Sequence, residues 1–161
     1  MSDAIYPLPG FYFTLRVLEK PSIEVPHPEI DASFQEISGI EAEFDTEPVV
    51  EGGENRFVHR LPKQGMHPNL VLKRGVTTND SFLAEWIAKT VVSNLTSSIQ
   101  PHDLIVTLLN ERGGPAITWT FANAYPVKYS VSALNSQENK ILIETLELAY
   151  NYFKRDVPEV E

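Results

Sequence analysis

The chain of 161 residues contains no cysteine. No disulfide can staple it, and thiol catalysis and cysteine-ligated zinc are excluded. Such a composition suits a reducing compartment, though it also tolerates an oxidising one. Bases are scarce: 13 Lys and Arg stand against 22 Asp and Glu, for a formal net charge of −9. A surface of that sign repels phosphate, which argues against a general nucleic-acid binder. Long apolar runs are missing as well. No stretch approaches the ~18 residues of a membrane-spanning helix. The start, MSDAIYPLPG, has neither the basic residues nor the apolar run of a secretion signal, so if the protein leaves its cell it is expected to do so by another route.

The signatures of chemistry are equally sparse. There is no G-x-S-x-G, H-E-x-x-H, Walker loop or G-x-G-x-x-G. The four histidines stand at positions 27, 59, 67 and 102. His59 and His67 flank a turn signal with no carboxylate at a metal-site spacing, so they read as solvent-facing. Nothing supplies nucleophile, base and electrostatic stabiliser together. The expectation is a protein without catalytic, metal or cofactor-binding residues.

What is present is a foldable chain, with 42% hydrophobic and 10% aromatic residues, within the range of ordinary globular domains. Prolines punctuate it everywhere except between Asn69 and Gln100. In that gap Phe82, Leu83, Trp86, Ile87, Thr90, Val91 and Leu95 recur at three- and four-residue steps, which predicts one amphipathic helix. Asn79 or Asp80 can cap its start, and Glu85 and Lys89 form an i,i+4 pair on its wet side. Elsewhere the period is two. Alternation marks strands at Phe11–Val17, Ile40–Asp45 and Leu70–Lys73. The run 103–109 is apolar on both faces. Ile117–Phe121 and Val127–Val131 read as two further strands, and the run 141–153 as a last one. In that last run Leu142, Leu146, Leu148, Tyr150 and Tyr152 share a face with Glu144, while Glu147 falls on the other. Trp86 and Trp119 sit in apolar patterns and read as core. Turn signals lie at Gly52-Gly53, Pro62 to Gly65, Gly113-Gly114 and Leu134 to Asn139, and 20–32 reads as an irregular proline-rich loop. Seven or so strands with one helix predict a β-sandwich or barrel with the helix packed on it.

Charge is laid out in blocks. Residues 41–54 hold Glu41, Glu43, Asp45, Glu47, Glu51 and Glu54 and no base, whereas 55–79 hold Arg56, Arg60, Lys63, Lys73 and Arg74 and no acid. Two explanations stand side by side. The arms of a hairpin pair their opposite charges within one chain, or an acidic surface on one copy meets a basic surface on the next, a heterologous contact that makes rings or stacks.

An ordered set of motifs supports a resemblance. These are F-x-E-I-S-G-I at 34–40, EGG-x-N at 51–55, LP at 61–62, N-L-x-LKRG at 69–75, W-x-F-x-NAYPVKY at 119–129 and IETLELAY at 143–150. The chain resembles the tail tube proteins of contractile phages and the inner tube subunits of extracellular contractile injection systems, over nearly its whole length. The resemblance implies one tail-tube-like domain over 1–161. It would be mainly β with one helix, two antiparallel sheets forming a small barrel or sandwich flanked by an α-helix, as in type VI secretion tubes. It implies a structural role in which six copies form a ring by joining sheets edge to edge. Rings then stack into a hollow conduit for protein or DNA cargo that is not bound by sequence. Implied partners are further copies of the chain, a sheath protein, baseplate or spike proteins and tube-terminating proteins. The implied location is the cytoplasm during assembly, then a virion or extracellular particle. Residues implied at subunit or ring contacts are Glu41, Glu43, Glu51, Arg56, Arg60, Lys63, Lys73 and Arg74, with the 45–67 hairpin. An acidic chain also suits a conduit whose wall repels acidic cargo. The proline-rich 20–32 and the Gly-Met-His step in LPKQGMHPN depart from the usual pattern and point to an alternative, a baseplate-proximal ring that starts the tube. From another class, a small-ligand or peptide binding module remains an alternative.

Overall fold

The computed structural model describes residues 13–18, 30–31, 34–53, 56–76, 82–93, 98–135, 137 and 140–157. The strands are β1 (Phe13–Leu18), β2 (Ile30–Asp31), β3 (Phe34–Ser38), β4 (Glu43–Val49), β5 (His59–Met66), β6 (Leu70–Gly75), β7 (His102–Leu109), β8 (Pro115–Val131), β9 (Ile143–Ala149) and β10 (Tyr152–Asp156). Helix α1 (Phe82–Ile87) continues into a π-helical turn, Ala88–Val92. Every pairing is antiparallel, in the order β2-β1-β7-β8-β9-β6-β3, with β10 also on β8 and β4-β5 as a separate ribbon.

β8 builds both sheets. Its first part pairs with β7 and β10, and its last part, Tyr125–Val131, pairs with β9. Two strands were expected here, and one bent strand of 17 residues is found. The bend has a local cause. Asn123 takes φ 53, a left-handed conformation that Asn tolerates better than most residues. Its N–H donates to Asp103 Oδ1 at 2.8 Å, so the kink leaves that donor satisfied. Pro126 lies next to a register shift and past the end of the β7 pairing, the bulge-and-edge setting in which strands accept proline.

The core lies between the two halves of this bent sheet and under the helix. Leu15, Val17, Leu104, Val106 and Phe121 come from one half, Leu70, Leu72, Leu146 and Leu148 from the other, and Leu83, Trp86 and Ile87 from α1. Each fully buried leucine contributes roughly 1.5–3 kcal/mol. The helical stripe read from the sequence is thus the packed stripe. Trp86 also donates its indole N–H to the Gln100 carbonyl at 3.0 Å, and Glu85 and Lys89 pair on the exposed side at 3.3 Å. The proposed caps Asn79 and Asp80 lie outside the described residues, as does most of 20–32.

Two sequence expectations fail at the ribbon. The turn signal at Pro62–Gly65 is inside β5, whereas the described turn of the ribbon is at Gly52-Gly53. Phe44, on the expected apolar face of 40–45, is 66% exposed. Pairing with β4 holds Pro62–Gly65 in the strand, and among the described elements the ribbon has no second layer, so alternation there does not sort residues into core and solvent.

Candidate assembly surfaces

Among the described elements the β4–β5 ribbon packs strand on strand and has no other substantial packing. Phe44, Phe57 (54%), Leu61 (54%) and Met66 (58%) are all exposed on it. A bulge opposite Asp45 twists it, because β5 spends Lys63 and Gln64 there. A lone two-stranded ribbon is marginal in water, so this one depends on its root.

The root is tightly built. Gly39 takes φ +86, and a Cβ there would lie 2.1 Å from the Asn69 carbonyl oxygen, so the two legs of the ribbon touch backbone to backbone. Tyr150 donates its hydroxyl to the Gly39 carbonyl at 3.4 Å. His67 Nδ1 lies 3.3 Å from the Glu41 carbonyl oxygen. The His67 ring packs tilted against Tyr150 at 5.5 Å and edge-on against Phe153 at 5.6 Å. Burial, with the Glu41 charge adding to it, pushes the Tyr150 phenol above its ordinary 10.0, so the hydroxyl keeps its proton and remains a donor.

Of the eight residues assigned to contacts from the sequence, six gather on the ribbon and its root, all exposed: Glu41, Glu43, Glu51, Arg56, Arg60 and Lys63. Several of the contacts they make inside the chain are weak. Glu43 and Glu47 stand opposite Met66 and Leu61, not opposite bases. Lys63 is 3.9 Å from Asp45, His59 is 3.8 Å from Glu51, and Arg60 donates to Thr46 Oγ1 at 3.0 Å. Exposed contacts of this kind are worth ~0–1 kcal/mol.

Lys73 and Arg74 sit elsewhere, on β6. Lys73 pairs with Glu36 across the outer sheet face at 2.8 Å. Within the chain Arg74 is 4% exposed and pairs with Glu144, its register partner on β9. Tyr129 donates to the second Glu144 oxygen at 3.1 Å, and the guanidinium lies 5.4 Å from the Phe34 ring centroid. Burial first, then the bond to Glu144, raises the Tyr129 pKa above 10.0. The sequence carried a signal for this pair. Arg74 continues the inward alternation of Leu70 and Leu72, and Glu144 continues that of Leu146 and Leu148, so each charge needs the other.

A second surface is made of edges. The run β3-β6-β9-β8 has β3 at one margin and the last part of β8 at the other. Among the described residues neither margin pairs with a further strand.

A bent antiparallel sheet, a helix across its core and an arm held clear of the body define the fold class of tube-forming secretion and tail proteins. A solved type six secretion system protein shares that fold at TM-score 0.55 and 13% identity, covering 89% of this chain and 82% of its own. The profile of the T4-like virus tail tube protein gp19 family matches residues 9–154, and the chain belongs to that family, whose role is structural and not enzymatic. A chain in the cryo-EM structure of the anti-feeding prophage baseplate, 6-fold symmetrised, is 33% identical with TM-score 0.83, covering 95% of this chain and 97% of its own. A chain in the sheath-tube complex of the extracellular contractile injection system PVC, in its extended state, is 22% identical with TM-score 0.75, covering 96% and 95%. One from the anti-feeding prophage tube-terminating cap is 23% identical with TM-score 0.74, covering 98% and 100%. No curated protein sequence matches the chain. Among the described residues no helix is long and apolar enough to cross a membrane.

Proposed function

We propose that the chain is a ring-forming subunit of the inner tube of a contractile injection system or phage tail, six copies to a ring, with rings stacked into a hollow conduit. The observation that carries this reading is the pair of margins at opposite ends of β3-β6-β9-β8 that, among the described residues, pair with no further strand. Unpaired strand edges are normally covered or blunted. Here β3 of one copy can add to β8 of the next, head to tail, a heterologous contact that closes into a ring if the rotation allows. The 6-fold symmetry of the baseplate holding the relative at 33% identity supports six as the number. The ribbon, with its exposed aromatic, aliphatic and charged side chains, then reaches an adjacent subunit or ring. Glu41, Glu43, Glu51, Arg56, Arg60 and Lys63 lie at that contact. Lys73 belongs to the edge-paired sheet instead. The partners are a sheath around the tube, baseplate or spike proteins at one end, a terminator at the other, and cargo inside. The subunit assembles in the cytoplasm and ends in the particle.

A second reading concerns position. The relative at 33% identity comes from a baseplate structure, whereas those from the sheath-tube and cap structures are 22% and 23% identical. That difference favours a ring near the baseplate over the repeating body of the tube. Sedimentation of the purified chain tests both. Mass at the hexamer or its multiples supports the assembly, a single discrete ring supports the baseplate position, and single chains at high concentration refute both.

A further inference from the structure

The outer face of β3-β6-β9-β8 is laid out in two cross-strand rows. The registers give Glu36–Lys73–Thr145–Ser130 and Ser38–Val71–Glu147–Lys128. The opposite face carries Ile37, Leu72, Leu146 and Tyr129, which pack on the core. Every charge in the two rows is matched. Lys73 Nζ lies 2.8 Å from Glu36 Oε1, and Lys128 Nζ lies 2.7 Å from Glu147 Oε1. Asn69 donates to the second Glu147 oxygen at 3.3 Å. The rows sum to zero charge in a chain whose formal net charge is −9, and Val71 is their one apolar member.

If sheets join edge to edge into a closed ring, one face of that ring points inward. The core face carries the rest of each protomer, including α1, and that bulk fits only outside. The two rows therefore face the hollow. We propose that the conduit wall is charge-compensated, and that its occupant is a polypeptide passing without being gripped, whatever the sign of its charge. This replaces the acidic, repelling wall expected from composition, because the charges of the two rows cancel. A polypeptide carries both signs along its length, so a wall with net charge would hold it at one segment or another. Matched Lys–Glu pairs and hydroxyls offer hydration without a net field.

The inference rests on the proposed ring, and its test separates the two. Assembled rings are first verified by electron microscopy, then incubated at low salt with fluorescent oligolysine and oligoglutamate peptides. Wild-type rings are expected to retain neither. Lys73→Gln with Lys128→Gln leaves two unmatched acids per copy and is expected to raise oligolysine retention about tenfold or more. Glu36→Gln with Glu147→Gln is expected to do the same for oligoglutamate. Both gains should vanish at high salt. Wild-type rings that retain either peptide, or single-stranded DNA, overturn the compensated wall. So do verified rings of both double variants that behave like wild type. Absence of wild-type rings refutes the assembly itself. Circular dichroism of each variant confirms folding, and if one pair of substitutions unfolds the chain, the other pair and the wild-type retention still decide.

Discussion

Replacing Glu144 by Leu removes the anion from a guanidinium that is 4% exposed. Apolar side chains supply much of what surrounds it. Phe34, Leu72, Leu83, Ile87 and Leu146 line the rest of that space, and the gap among them is about 10 Å³, room for at most one water. Breaking a buried pair from one side costs about 3–5 kcal/mol, against a total stability on the order of 5–15 kcal/mol for a domain. With a urea slope of roughly 2 kcal/mol/M, the unfolding midpoint should fall by about 2 M. Arg74→Met alone strands Glu144 instead, though Tyr129 still donates to it, so its loss should be smaller. The double variant Arg74→Met with Glu144→Leu should recover most of the loss, since no charge is then left buried. The Tyr129 hydroxyl loses its acceptor in that variant, which holds back about 1 kcal/mol. Urea titrations of the four proteins close a double-mutant cycle. A loss under about 1 kcal/mol for Glu144→Leu, or a double variant as unstable as the sum of the singles, would refute the reasoning.

Three further outcomes are expected. Gly39→Ala drives a Cβ onto the Asn69 carbonyl from a left-handed backbone, and should cost at least about 2 kcal/mol; limited proteolysis should then cut the ribbon faster, and unchanged cutting would count against the root as its anchor. Reversing Arg56 and Arg60 to Glu should weaken stacking of rings, read by sedimentation, while each protomer stays folded; assembly indifferent to both the reversal and salt would mean that these charges act only within one chain. The hydrogen bond from Lys128, with that from Asn69 second, holds Glu147 below its ordinary 4.5. A depressed carboxyl stabilises the fold above the unfolded value and loses that contribution as pH falls through the folded one. Acid titration of wild type should therefore show a loss of stability below pH 4.5 that Lys128→Ala reduces, and equal slopes would contradict the pairing.

Much of the architecture was legible because period and burial agree where the chain packs. Leu15 and Val17, Leu70 and Leu72, Leu104 and Val106, and the stripe Leu83–Trp86–Ile87 all point where their spacing predicts. The reading failed where a local signal was overruled by the neighbouring strand. Ile117–Phe121 and Val127–Val131 read as two strands, yet one strand runs through Pro126 between them and pairs there with β9, and Pro62 and Gly65 read as a turn, yet β4 pairs along them. Charge blocks were visible and their partners were not. Lys73 and Arg74 are adjacent in sequence, but the alternation of β6 sends one to the outer face and the other into the core. Only the register across four strands reveals that the outer rows cancel in charge.

Cryo-electron microscopy of the purified chain at high concentration tests the central claim most directly. Hollow six-fold rings in which β3 of one copy runs antiparallel beside the end of β8 of its neighbour are the predicted result. Single particles the size of one chain, or rings whose copies meet with both of those margins bare, would contradict it.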